Sequence, residues 1–303
     1  MNGVLCIDKP EGFTSFDVVA KMRGIAKTRR IGHTGTLDPM ATGVLPILLG
    51  EATKAADLLP DSDKRYEASF AFGYRTDTQD STGTTLARTD TRVTAEQIEA
   101  ALPAFTGTIM QVPPMYSAVK VNGRKLYELA REGREVERAA RPITVYSLEL
   151  LSFDETTQSG TLVLSCSKGT YVRTLIDGLG EALGSYGVMT GLRRTFACGF
   201  ALPACITLPR AQELAAAGAL ESALSPVETL FTTLPRLHLI PAQARMFRNG
   251  VKLDAARVRR EGEGERFAVY GEAFLGIARI DAETNTVRAV KQFGHIKTEG
   301  QSH

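Results

Sequence analysis

Long apolar runs are missing from this chain of 303 residues. No stretch approaches the roughly 20 residues that a bilayer-spanning helix needs. Only Val4-Leu5-Cys6-Ile7 precedes the charged Asp8-Lys9, too short for a secretory apolar segment. Cysteine is scarce: Cys6, Cys166, Cys198 and Cys205 form no CxxC pair. Such scattered thiols point to reduced cysteines in a cytoplasmic protein rather than a disulfide framework. The histidines, at 33, 238, 295 and 303, never stand four apart, which rules out a zincin-like metal pair. No GK[ST] follows a glycine-rich loop, and neither GxGxxG nor GxSxG occurs. A P-loop, a dinucleotide fingerprint and a hydrolase elbow are thereby excluded. Metal and nucleotide cofactors have no visible home, and none is expected.

Net charge is also small, at +2, so a strongly basic nucleic-acid binder is not announced. The charge is patterned, however. Residues 236–303 carry 12 Lys and Arg against 8 Asp and Glu. Lys21, Arg23, Lys27, Arg29 and Arg30 lie within 18–36, which holds no acid. Residues 120–141 hold seven basic and four acidic side chains. Basic clusters on a near-neutral chain suit a polyanion surface, although any one of them taken alone is equally a solvated mixed-charge face.

What stands out is the run Gly32-His33-Thr34-Gly35-Thr36-Leu37-Asp38-Pro39-Met40-Ala41-Thr42-Gly43. Proline fixes the φ after Asp38 and pushes Asp38 itself toward extended dihedrals. The surrounding glycines permit turns and close backbone approaches. Small β-branched residues between them, with Ile31 and Val44-Leu45 at the ends, suggest a rigid loop presenting one acid. An Asx turn before proline is the structural alternative.

Around this loop the pattern is mixed α and β. Thr14-Ser15-Phe16-Asp17 caps a helix over 15–29, and Thr94-Ala95-Glu96-Gln97 caps another reaching Leu102. Tyr66 to Phe72 alternates as a half-buried strand, and Ile143 to Phe153 pairs with Thr161 to Cys166. A helix after Gly169 carries Val172, Leu175, Ile176, Leu179 and Leu183 on one side. Residues 120–141 interrupt the pattern as a charged helical insertion. Pro235 and Pro241 mark a boundary near 232–240, and short strands at Phe267–Tyr270, Leu275–Ile280 and Val287–Val290 predict a small β-rich second domain. The tail, Lys297 to His303, reads as disordered.

Ordered segments carry a family resemblance: Lys9-Pro10-Glu11-Gly12-Phe13-Thr14-Ser15; Gly32 to Pro39 continuing through Thr42-Gly43-Val44-Leu45-Pro46; Lys64-Arg65-Tyr66 leading to Thr76-Asp77-Thr78-Gln79-Asp80; and Ser165 to Thr174 preceding Leu192-Arg193-Arg194. Pro113 to Lys120 and Asn249-Gly250 also fit. Together they resemble the TruB family of tRNA pseudouridine synthases. The resemblance implies an α+β fold: a mixed, largely antiparallel catalytic sheet with helices over residues 1–234. It further implies a helical thumb at about 114–142 and a small β-barrel PUA-like domain over 235–303.

By the same resemblance, Asp38 is the catalytic carboxylate that converts uridine 55 of the T-loop to pseudouridine, Arg173 its bidentate ion-pair partner, and Tyr66 the tyrosine that stacks on the base. His33 assists base flipping, Tyr171 and Leu192 wall the pocket, and Lys9 buttresses or binds at the site. Arg124, Lys125 and Arg131 of the thumb lie near phosphates. The expected partner is the tRNA T-arm, bound by a monomer that needs no cofactor, no protein partner and no membrane. Two segments depart from the family pattern, Asp177-Gly178 and Gly187-Val188. Competing readings are a nucleotidyltransferase, whose HxGH signature would put histidine where Thr36 stands, and a non-catalytic RNA chaperone.

Overall fold

Period-two burial builds the principal sheet. In the strand Lys64–Phe72, Tyr66, Ala68, Phe70 and Phe72 are buried while the intervening residues are not, as one covered sheet face requires. The computed structural model describes residues 1–60, 63–121 and 123–294. In it the strands run in the order Gly3–Lys9, Thr42–Leu49, Gly187–Ala197, Lys64–Phe72, Ser159–Cys166, Arg141–Asp154 and Gly107–Gln111. Ile31–His33 pairs off Thr42–Leu49, and Phe200–Ala201 off Gly187–Ala197.

Among the strand-to-strand pairings described in this sheet, only that between Thr42–Leu49 and Gly187–Ala197 is parallel, with Arg194 opposite Gly43. Gly43 has φ +99°, and a Cβ there would lie 2.2 Å from the Arg194 carbonyl oxygen. No other residue fits that crossing. On its other side Arg194 pairs in register with Tyr66.

Two helices position the site. Ser15–Ile25 begins at a Thr14/Asp17 capping box, as expected. It stops four residues short of the predicted end, because Lys27 adopts φ +49° and Thr28 donates back to the Arg23 carbonyl at 3.3 Å, a Schellman-type closure. Val172–Ala182 buries Val172, Leu175, Ile176 and Leu179 against the sheet. Its close seat comes from Gly180, where a Cβ would come within 2.3 Å of the Gly187 backbone nitrogen. The departure at Gly187-Val188 is thus the start of a strand packed under this helix.

The predicted thumb is smaller than a full helical insertion. A two-stranded ribbon, Lys120–Val121 with Arg124–Lys125, leads into a short helix, Leu126–Arg131, and the chain rejoins the sheet at Arg141. Toward the C-terminus six strands form a curled half-barrel consistent with a PUA-like fold, in the order Leu253–Asp254, Thr286–Gln292, Phe274–Asp281, Phe267–Tyr270, Arg236–His238 and Arg259–Glu261. The helix Pro241–Arg248 and three of these strands, each of two or three residues, left no periodic trace in the sequence. The half-barrel shares a core with the first sheet, where Ala268, Ile277 and Phe293 join Val4, Val44 and Leu48. All four cysteines are free thiols. Among the described residues no helix is long and apolar enough to cross a membrane. The tail Lys297 to His303 lies outside the described residues.

Candidate active site

A cavity of about 190 Å³ opens where the loop before Thr42–Leu49 meets the start of helix Val172–Ala182. Asp38, Tyr66, Tyr171, Arg173 and Leu192 line it, together with Lys64, Met189 and the Ser117-Ala118 root of the thumb. Five sequence-predicted residues therefore converge on one space.

The Asp38 loop is held by hydrogen bonds rather than by composition alone. Buried Ser15 receives the Leu37 amide at 2.9 Å and donates to the Leu37 carbonyl at 3.3 Å. The Gly12 amide donates to the Pro39 carbonyl at 2.9 Å. Lys9 Nζ donates to the carbonyls of Pro10 at 2.9 Å, Pro39 at 3.2 Å and Phe13. All three ammonium donors are thus committed to backbone, and Lys9 is fully buried. It does not line the cavity, which corrects the expectation that it binds substrate: Lys9 clamps the loop. Burial draws its pKa down to about 8, against the pull of the Asp38 charge.

Asp38 presents a partly open carboxylate, 38% exposed. Desolvation pushes its pKa up, and the Arg173 charge opposes that rise. The expected bidentate pair does not form. Arg173 Nη2 stands 3.5 Å from Asp38 Oδ2 and donates to the Tyr116 carbonyl, while Nη1 meets Asp80 Oδ2 at 3.5 Å. One guanidinium is divided between two carboxylates and the thumb root. Arg173 is buried in the first turn of its helix, a position hostile to cations that two acids make tenable.

Tyr66 is buried, and that burial raises its pKa to about 12. The charge of Arg194, its neighbour in register, works against that rise. Arg194 is itself almost wholly buried, at 1% exposure, and donates Nε to the Val44 carbonyl at 2.7 Å and Nη2 to the Gly35 carbonyl at 3.4 Å. Neither Arg194 nor Asp80 was given a role from the sequence, although both fall in the quoted segments. A usable signal was the Arg193-Arg194 pair on a strand: successive side chains face opposite ways, so one of the two arginines had to point inward. Arg193 takes the other face and pairs with Asp8 at 2.8 Å.

His33 does not line the cavity. It sits on the short strand Ile31–His33, edge-on to Phe16 with ring centroids 5.4 Å apart. Burial and the Arg194 charge lower its pKa, keeping it neutral near pH 7. The thumb cations also stand outside the cavity lining. Arg124 pairs with Glu132, and Lys125 and Arg131 each lie 5.4 Å from the Tyr127 ring. Asp177, the other family departure, is buried and receives Arg75 Nε at 2.6 Å and Gln79 Nε2 at 3.0 Å. Gln79 in turn accepts from Thr174 at 2.7 Å, which braces the segment carrying Asp80 against the Arg173 helix.

Residues 23–172 match the TruB family pseudouridylate synthase (N terminal domain). The tRNA pseudouridine synthase B of Aromatoleum aromaticum is 46% identical over 303 residues, covering 100% of this chain and 96% of that protein. Its counterpart in Pasteurella multocida is 42% identical over 291 residues, covering 95% and 94%.

The chain belongs to the TruB family.

A solved structure titled "Crystal Structure of a Cbf5-Nop10-Gar1 Complex" is similar across 96% of this chain and 84% of that one, with TM-score 0.76 and 25% identity. Membership makes the chain an isomerase of the pseudouridine synthase type. In TruB terms the two sequence departures touch the frame: Asp177 steadies the Arg173 helix, and Gly187 lets that helix sit close to the sheet.

Proposed function

We propose that this TruB-family enzyme isomerises uridine 55 in the T-loop of tRNA to pseudouridine, with Asp38 as nucleophile. The carrying observation is the Asp38–Arg173 pair at the mouth of a small cavity walled by Tyr66, Tyr171 and Leu192. A volume of about 190 Å³ falls below the roughly 300–1,000 Å³ of drug-sized pockets, as a site for one extruded base should. Names of relatives at 42% and 46% identity supply the tRNA substrate.

In the reaction the N1–C1′ bond breaks, the base turns, a C5–C1′ bond forms, the C5 hydrogen leaves as a proton and N1 takes one up. A carboxylate divides this into two steps through a covalent intermediate, on the sugar or on the base. Arg173 keeps Asp38 ionised against the desolvation that opposes it. Tyr66 packs its ring on the base. With its pKa near 12, its phenol stays protonated, which favours stacking over service as a general base. His33 enters the space the uridine leaves, offsetting part of a flipping cost of a few kcal/mol. Arg124, Lys125 and Arg131 approach phosphates when the thumb meets the T-arm.

Residues 1–234 then act as the catalytic domain and 235–303 as a PUA-like RNA-binding domain, in a monomer working in the cytoplasm without cofactor. Unmodified tRNA carrying 5-tritiated uridine should release tritium on incubation with the protein alone. Absence of release from a preparation that binds tRNA would refute the proposal.

A further inference from the structure

Phe16 is the most exposed large hydrophobic side chain among the described residues, at 69%, and the mechanism above leaves it unused. A single exposed apolar residue is ordinary; the setting of this one is not. Its neighbours are pinned on both sides. Ser15 is buried and bonded to Leu37 of the catalytic loop, and Asp17 closes the capping box with Thr14. A large ring is thus held in solvent on fixed backbone, where it loses little conformational freedom when a partner binds.

Among the described residues the ring's one aromatic neighbour is His33, met edge to face at 87°, so a face of Phe16 stays clear of it. The helix that carries Phe16 and the turn after it are basic. Lys21, Arg23, Lys27 and Arg29 are exposed, and among the described residues none is in an ion pair, whereas Arg30 engages Glu51. Arg23 follows Phe16 by seven residues, two helical turns, which puts it on the same face about 10 Å along the axis. The nearby acids are Asp17, occupied by Thr14, and exposed Glu11. An apolar ring face beside unpaired cations complements an unstacked nucleobase and its phosphate.

We propose that Phe16 is a base-stacking residue that extends the His33 rim into a two-ring platform for a splayed nucleotide of an RNA loop, with Arg23 on the adjoining phosphate. The proposal rests on the RNA substrate read above and adds to it a second nucleotide, outside the catalytic cavity.

The test compares full-length wild type, Phe16→Ala, Phe16→Tyr and Leu151→Ala. Leu151 is an equally exposed apolar residue, at 64%, on the strand Arg141–Asp154. Dissociation constants are measured for an unmodified T-arm hairpin and for a loopless duplex of the same stem. Phe16→Ala should weaken hairpin binding about tenfold, within the range for removal of one stack. Phe16→Tyr should restore it, Leu151→Ala should match wild type, and duplex binding should change little. Hairpin affinity for Phe16→Ala within twofold of wild type would overturn the proposal, as would an equal loss on the duplex. The same hairpin is assayed for pseudouridine: if wild type binds it and forms none, the proposed reaction fails while the affinity comparison still decides the role of Phe16.

Discussion

Arg194 and Tyr66 face each other in register on adjacent antiparallel strands, and the charge of the buried guanidinium works against the burial that raises the phenol's pKa. The same guanidinium holds the Val44 and Gly35 carbonyls, so one side chain ties the wall of the pocket to both ends of the Asp38 loop.

Replacing Arg194 should therefore damage Tyr66 indirectly. Arg194→Met leaves buried acceptors without donors, each costing about 1–3 kcal/mol, and both melting temperature and turnover should fall. With Tyr66→Phe as the second mutation, the loss in the double variant should fall short of the sum of the singles by at least about 0.5 kcal/mol in kcat/KM. Strict additivity would mean that Arg194 acts on the loop alone.

The raised pKa of Asp38 sets two pH trends. Ionised Asp38 is required for turnover, so the acid limb of kcat/KM should lie above the carboxylate's ordinary 3.8. Arg173→Met removes the opposing charge and should move that limb higher still. For stability the sign is reversed. A carboxyl whose folded pKa exceeds its unfolded one costs stability once it ionises. Asp38→Asn should thus melt no lower than wild type at pH 7, with its advantage fading as pH falls toward 3.8; a variant markedly less stable at pH 7 would contradict this.

Thumb cations should contribute to affinity in proportion to their freedom. Lys125 donates to the Tyr127 hydroxyl at 3.3 Å and, like Arg131, lies against that neutral ring, whereas Arg124 must first leave Glu132. Removing one cation from a phosphate should flatten the log–log salt dependence of tRNA binding by about 0.7–0.9. Lys125→Ala and Arg131→Ala should approach that change and Arg124→Ala should fall below it, as titrations at several salt concentrations would reveal.

Gly43→Ala should be among the most damaging small substitutions. Its Cβ would sit 2.2 Å from backbone, at φ +99°, so the parallel crossing between Thr42–Leu49 and Gly187–Ala197 must move, and Arg194 with it. We expect a loss of several kcal/mol in denaturant unfolding, against about 1–2 kcal/mol for alanine at exposed Gly133, where the positive φ is strained but a Cβ meets nothing within 4 Å.

Local signals in the sequence were readable and distant ones were not. The Thr14/Asp17 and Thr94/Gln97 capping boxes act over three residues, and both stand where the spacing put them. The alternation through Tyr66 marks its strand. The end of the first helix was misjudged because a left-handed Lys27, not a glycine, closes it. Arg194 stayed without a role because its partners lie on strands far away in sequence, joined only by register. Lys9 is read from the sequence as a buttress or a substrate contact because lysine is rarely buried, and only the folded carbonyl cage shows what holds this one inside.

The most direct measurement is position-resolved mapping of pseudouridine in unmodified tRNA treated with wild type and with Asp38→Asn. Wild type should place pseudouridine at position 55, and Asp38→Asn should bind the tRNA with near wild-type affinity yet form none. Appreciable pseudouridine from Asp38→Asn would make Asp38 a structural loop residue and contradict its role as nucleophile.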